Sequence, residues 1–174
     1  MRYDICSRQW DDAGRPVRHI SLAQGQFAVS DDPDAVITTV LGSCVAACLR
    51  DPVRGIGGMN HFVLPDSPTP SADTAESARY GAVLMPQLLD ALLAQGARSS
   101  RLEALVLGGA SPSGSYYNVG QRNLAFARAF LAERGVKVLK TPEVSPAGCR
   151  IEFWPASGRL KQTPVGHADR RSDG

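Results

Sequence analysis

The apolar positions change rhythm about half-way along the chain. Between residues 26 and 64 they come in short β-branched or near-continuous runs broken by turn residues, which predicts strands over 26–30 and 35–41. The second is the stronger, because AVITTVL is almost wholly β-branched or apolar. Two more runs, 44–50 and 55–64, flank DPVR, whose Asp-Pro pair suits a tight turn, so they are predicted to form a hairpin. After the Pro/Ser/Asp-rich stretch PDSPTPSADTAES, the spacing becomes helical. Leu84, Leu88, Ala91, Leu92 and Gln95 recur at three- and four-residue intervals, predicting a helix over 78–95 with Gly96 as its C-terminal stop. Pro86 falls inside that pattern and predicts either a kink or a new first turn. A strand over 102–107 ends at Gly108-Gly109, a doublet that suits a tight turn or a ligand cradle equally well. A second amphipathic helix over 118–134 carries Leu124, Ala127, Phe130 and Leu131 on one face. Strands over 136–141 and 150–154 follow, with a closing β pair across PASG.

Strands first and alternating helices and strands afterwards indicate a layered α/β sandwich with mixed, largely antiparallel sheets rather than a purely parallel doubly wound one. Residues 19–160 form its one domain. Residues 1–18 read as a polar N-terminal extension and 161–174 as a polar C-terminal tail. No internal repeat is present.

Composition narrows the class. A chain of 174 residues with 43% hydrophobic and 21% charged residues supports one core. No window approaches the roughly 18 apolar residues of a membrane span, and the first residues lack the apolar core of a secretion signal. Cys6, Cys44, Cys48 and Cys149 form no C-x-x-C pair, which fits a reduced cytoplasmic protein better than a disulfide scaffold. Nineteen basic and seventeen acidic residues give a net charge of +2, so there is no electrostatic case for nucleic acid.

The chemistry concentrates in the predicted hairpin. A turn at Pro52-Val53 pairs Asp51 with Arg54 and Arg50 with Gly55, and this register carried up the strands sets Cys44 opposite His61; a bulge at Gly57-Gly58 would move it by one. An imidazole beside a thiol can take its proton and return it to a departing amine. Thr38 or Thr39 on the preceding strand offers a hydroxyl to orient the ring, and the backbone N–H groups of the Gly42-Ser43-Cys44 bend suit an oxyanion, with Asn60 in support. A thiol activated in this way would alkylate well below its ordinary pKa of about 8.5. The rival readings are a buried structural cysteine, the commoner fate of the residue type, and a zinc set of Cys44, Cys48, His61 and Cys149, whose spacings match no structural zinc pattern. Cys48 reads as core.

TTVLGSCVAACLRDP, GGMNHFVLP, ARYG, LGGAS and NVGQRN occur in that order over residues 38–123, and together they closely resemble the CheD family of chemoreceptor glutamine deamidases. The resemblance implies a cytoplasmic enzyme that hydrolyses the side-chain amide of selected glutamines on methyl-accepting chemotaxis receptors, releasing ammonia through a thioester, with no metal or organic cofactor. It places the nucleophile on Cys44, the general base on His61 and the orienting threonine on Thr38, not Thr39. It implies an α/β/α sandwich similar to that of deamidating bacterial toxins, and a possible partner in a CheC-type phosphatase. Where family members commonly carry an acidic residue followed by Gly-Gly and then Gly-Arg, this chain has Glu143, Ser145-Pro146 and Cys149-Arg150. That departure motivates an alternative, a non-catalytic module that binds receptors or the phosphatase.

Overall fold

Ten strands, three α-helices and a 3-10 turn at Ser99–Arg101 make up the computed structural model, which describes residues 6–11, 13–66, 74–110, 118–140 and 147–165. In chain order they are β1 (Cys6–Trp10), β2 (Pro16–Ser21), β3 (Gln26–Ser30), β4 (Ala35–Leu41), β5 (Val45–Asp51) and β6 (Ile56–His61). Then come α1 (Thr74–Ser77), α2 (Gly81–Ala94), β7 (Glu103–Gly108), α3 (Val119–Glu133), β8 (Lys137–Val138), β9 (Cys149–Trp154) and β10 (Arg159–Pro164). One sheet runs β1-β2-β4-β9-β10 and the other β3-β6-β5-β7-β8; only β2/β4 and β7/β8 are parallel. The expected α/β class with mixed, largely antiparallel sheets is what this topology shows.

The two faces of the second sheet explain the layering. Val45, Ala47 and Leu49 of β5 join Leu84, Leu88 and Leu92 of α2 and Leu131 of α3 in one buried cluster. The alternate residues Ala46 and Cys48 pack with Ile37, Ile151 and Phe153 of the first sheet in another. The described layers therefore run helix pair, sheet, sheet, and β5 is near-continuously apolar because both of its faces are covered. Each fully buried leucine of α2 contributes roughly 1.5–3 kcal/mol. Pro86 lies within α2 without ending it. The carbonyl it leaves without an N–H partner belongs to Ala82, an exposed residue that water can serve.

Two expectations change here. Residues 6–18, read as an extension, belong largely to an antiparallel β1–β2 hairpin, and β10 carries the sheet past residue 160. β1 and β10 are the two edge strands of the first sheet, and β10 is mostly exposed and polar, so backbone pairing holds it without an apolar signature. The β5–β6 turn is also longer than the hairpin register assumed. Asp51 pairs with Ile56, because its Oδ1 accepts the N–H groups of Val53 and Arg54, both at 3.0 Å, while Gly55, at φ +70°, donates to its carbonyl. Arg101 closes on the fully buried Asp51 carboxylate at 2.7 Å and holds its pKa well below the usual range. No bulge interrupts Gly57-Gly58, which pair regularly on both sides. They are glycines because added Cβ atoms would meet Pro155 O at 2.7 Å and Ala28 O at 2.6 Å. No helix among the described residues is long and apolar enough to cross a membrane.

Candidate active site

Cys44 closes a bend between β4 and β5, with Gly42 and Ser43 exposed before it and its own side chain only 8% exposed. All three carbonyls of the bend are held from behind. Ala110 N–H donates to Gly42 O at 2.9 Å, Asn123 Nδ2 to Ser43 O at 3.1 Å, and Gly109 N–H to Cys44 O at 2.9 Å. Asn123, wholly buried on α3, also reaches Val63 O at 2.8 Å and so ties the bend to the chain two residues past His61. The Gly108-Gly109 doublet serves close packing against this bend. Gly108 has φ +95°, and a Cβ there would sit 2.2 Å from Cys44 O. Gly108→Ala is expected to lower stability by roughly 3 kcal/mol or more in urea melts, since strained backbone and a clash with main chain coincide.

The observed register puts Cys44 and His61 out of direct opposition. Extending the pairs Cys48↔Met59 and Val45↔Phe62 sets Ala46 across from His61, a shift of two residues from the predicted pairing. An even shift keeps every side chain on its face, so Cys44 and His61 still share the inter-sheet side, as diagonal neighbours. Asn60, by contrast, points to the helices. Its Oδ1 accepts Ala47 N–H at 2.9 Å and its Nδ2 contacts Met85 Sδ at 3.2 Å, so it bridges β6 to β5 and α2 and is not an oxyanion donor.

The ring of His61, 4% exposed, is held by Thr39. Thr39 Oγ1 lies 2.7 Å from His61 Nδ1 and 2.9 Å from Leu22 O. The hydroxyl has one hydrogen, and the Leu22 carbonyl can only accept it; the hydroxyl oxygen must then accept from Nδ1–H. Nδ1 therefore carries the ring proton and Nε2 a bare lone pair. Nε2 is buried with no hydrogen-bond partner among the described residues. The threonine in contact with the ring is thus Thr39 and not Thr38. β4 alternates, Thr39 shares the inter-sheet face with Ile37 and Leu41, and Thr38 faces the other way.

A family model described as CheD chemotactic sensory transduction matches residues 63–163. A protein of Rhizobium leguminosarum bv. trifolii named "Probable chemoreceptor glutamine deamidase CheD" is 49% identical over 152 residues, covering 87% of this chain and 83% of that one. The chain belongs to the CheD family. A protein of the same name from Agrobacterium fabrum is also 49% identical, with the same coverage of 87% and 83%. Among solved structures, the hypothetical protein YfiH of Bacillus licheniformis shows a partial likeness, with a TM-score of 0.43 at 14% identity over 66% of this chain and 50% of that one.

In this CheD-family chain the thiol and imidazole rest neutral. Burial pushes the Cys44 thiol up, opposed by its own backbone N–H and by the charge of Arg79, and burial lowers His61 to about 4. Early alkylation, expected of a resting thiolate, is therefore not expected of the free protein. Cys48 and Cys149 are raised by burial as well. Because the folded His61 titrates below its unfolded pKa of about 6.5, the unfolded chain binds the proton first as the solution is acidified. Stability from this group is full above about pH 6.5 and is lost progressively as the pH falls towards about 4. Denaturant melts should show that loss in wild type and a flatter profile in His61→Gln.

Three contributors lay outside the sequence reading. Asn123 sits within NVGQRN and Arg79 within ARYG, so family motifs were the only signal for them. Gln24 had none, and its Nε2 lies 3.8 Å from Cys44 Sγ. No group of three or more metal-binding side chains is clustered among the described residues. The divergent stretch 143–146 lies outside the described residues.

Proposed function

We propose that the protein is a cysteine-dependent protein-glutamine deamidase that converts selected glutamines of methyl-accepting chemotaxis receptors to glutamate in the cytoplasm. The observation that carries this is a neutral His61, held at Nδ1 by Thr39 and with no partner on Nε2 among the described residues, on the same face as the Cys44 thiol. The names borne by relatives 49% identical to it supply the substrate class.

The chemistry follows from that resting state. His61 Nε2 takes the thiol proton as Cys44 Sγ bonds to the carboxamide carbon, and the carbonyl π electrons move to oxygen. When the tetrahedral adduct collapses, the C–N bond breaks and His61 returns the proton to the leaving group, which departs as ammonia. A γ-glutamyl thioester remains on Cys44. Water then gives one proton to Nε2 and attacks the thioester, and the thiolate leaves and recovers that proton. A low imidazole pKa suits this cycle, because the base is free to accept at neutral pH. The same exposed rim, Gly42 and Ser43, is where we place competition from a CheC-type phosphatase.

The test is mass spectrometry of a receptor cytoplasmic fragment incubated with the protein. An amide-to-acid mass gain confined to particular glutamines, with an acyl adduct on Cys44 in acid-quenched samples, is the expected result. No gain on any cognate receptor would overturn the proposal.

A further inference from the structure

The segment Leu22–Gly25 crosses from the first sheet to the second, and it touches Thr39, His61 and Cys44. Leu22 N–H donates to Thr38 O at 2.8 Å, and Leu22 O receives the Thr39 hydroxyl. Gly25 N–H donates to His61 O at 2.8 Å. Gly25 has φ +82°, and a Cβ there would meet Ala78 O at 3.3 Å, so the turn is shaped to lie close against its neighbours. Ala23 N–H is fixed by Gln26 Oε1 at 2.9 Å. Between these anchors stands Gln24, an exposed residue whose carboxamide nonetheless turns in to reach Cys44 Sγ at 3.8 Å.

A neutral thiol is a weak acceptor, so this contact adds little to stability. Its value lies in where it puts a donor. In the adduct the former carbonyl oxygen sits on the carbon bonded to Sγ, and a donor beside that sulfur can approach the oxyanion to the 2.7–3.1 Å that effective stabilisation needs, roughly. The bend itself supplies a second donor nearby, the N–H of Cys44. We propose that Gln24 Nε2–H is the side-chain donor of the oxyanion site, paired with the Cys44 N–H, and that it binds the negative oxygen in both the formation and the hydrolysis of the thioester. The oxygen gains charge when the S–C bond forms and loses it when the C–N bond breaks, so Gln24 itself exchanges no proton. A glutamate at this position would offer no donor and would repel the oxyanion.

This inference rests on the cysteine mechanism proposed above, and its test separates the two. Deamidation of the receptor fragment is measured for Gln24→Ala, Gln24→Glu and Cys44→Ala, alongside alkylation of Cys44 by iodoacetamide. Alkylation displaces iodide and develops no oxyanion, so it reports the thiol and imidazole alone. Gln24→Ala is expected to lower kcat by roughly 10²-fold, with KM and the alkylation rate within about threefold of wild type, and Gln24→Glu to be at least as impaired. A Gln24→Ala variant with unchanged kcat would overturn the assignment, as would a fall in alkylation matching the fall in kcat, which would make Gln24 a support for the thiol. Turnover surviving in Cys44→Ala would sink the cysteine mechanism instead. Loss of turnover in Cys44→Ala with normal turnover in Gln24→Ala would sink only the role of Gln24.

Discussion

Cys44→Ala is expected to lose deamidation of a chemoreceptor fragment by roughly 10⁴-fold or more, because the acyl acceptor itself is removed. The remaining machinery has nothing to act on. His61 keeps its Thr39 contact and its bare Nε2, yet no thiol is left to deprotonate. His61→Gln should fall nearly as far, since the Cys44 pKa is raised by burial and the thiol needs a base at the moment of attack. The double variant should be no worse than either single one, because the two groups act as a unit. Cys48 and Cys149 supply the contrast. Both are buried in the inter-sheet core, and alanine at either should cost roughly 1–2 kcal/mol of stability while leaving kcat within about threefold of wild type. Progress curves on the receptor fragment together with urea melts separate the two outcomes. Full turnover by Cys44→Ala, or collapse of turnover in a stably folded Cys48→Ala, would contradict the arrangement.

The second large effect discriminates between adjacent threonines. Thr39→Val should lower kcat by roughly 10³-fold, and Thr38→Val should leave it within about threefold. Valine keeps the shape of threonine but has no oxygen to accept Nδ1–H, so His61 loses the contact that selects its tautomer and holds its plane. Leu22 O loses its donor in the same step, which should also cost about 1–3 kcal/mol of stability. The deciding readout is the protonation of the ring. Nitrogen NMR of labelled His61 should show a single Nδ1–H tautomer in wild type and in Thr38→Val, and a mixture in Thr39→Val. A kinetic defect in Thr38→Val larger than in Thr39→Val would restore the reading drawn from family resemblance.

Much of the frame was legible in the residues. The predicted strand 35–41 coincides with β4, and the hairpin, the Gly96 stop and the closing pair across PASG are all present. Each rests on a local signal, such as β-branched runs, a positive-φ glycine or an Asp-led turn. Even the misplaced hairpin register kept Cys44 and His61 on one face. Strand periodicity is two, and the longer turn moved the register by two.

What sequence could not decide was every choice that depends on which surface meets which. In β4, residues 35 to 39 are all buried, so no alternation of apolar and polar positions shows which threonine looks between the sheets. Only the packing of the first sheet on the second selects Thr39. The outer strand of the β1–β2 hairpin was unreadable for the opposite reason, since an edge strand held by backbone pairing needs no apolar pattern. Gln24 and Asn123 reach the Cys44 bend from 20 and 80 residues away, Gln24 at the thiol and Asn123 at the carbonyl of Ser43, and such distant contacts leave no mark on local sequence. The sequence by itself determined the elements and the shared face of Cys44 and His61, because these follow from short-range stereochemistry. The tertiary structure alone decided the tautomer, the neutral resting state and the donor beside the thiol, because those depend on burial and on chain segments that meet only when the two sheets close.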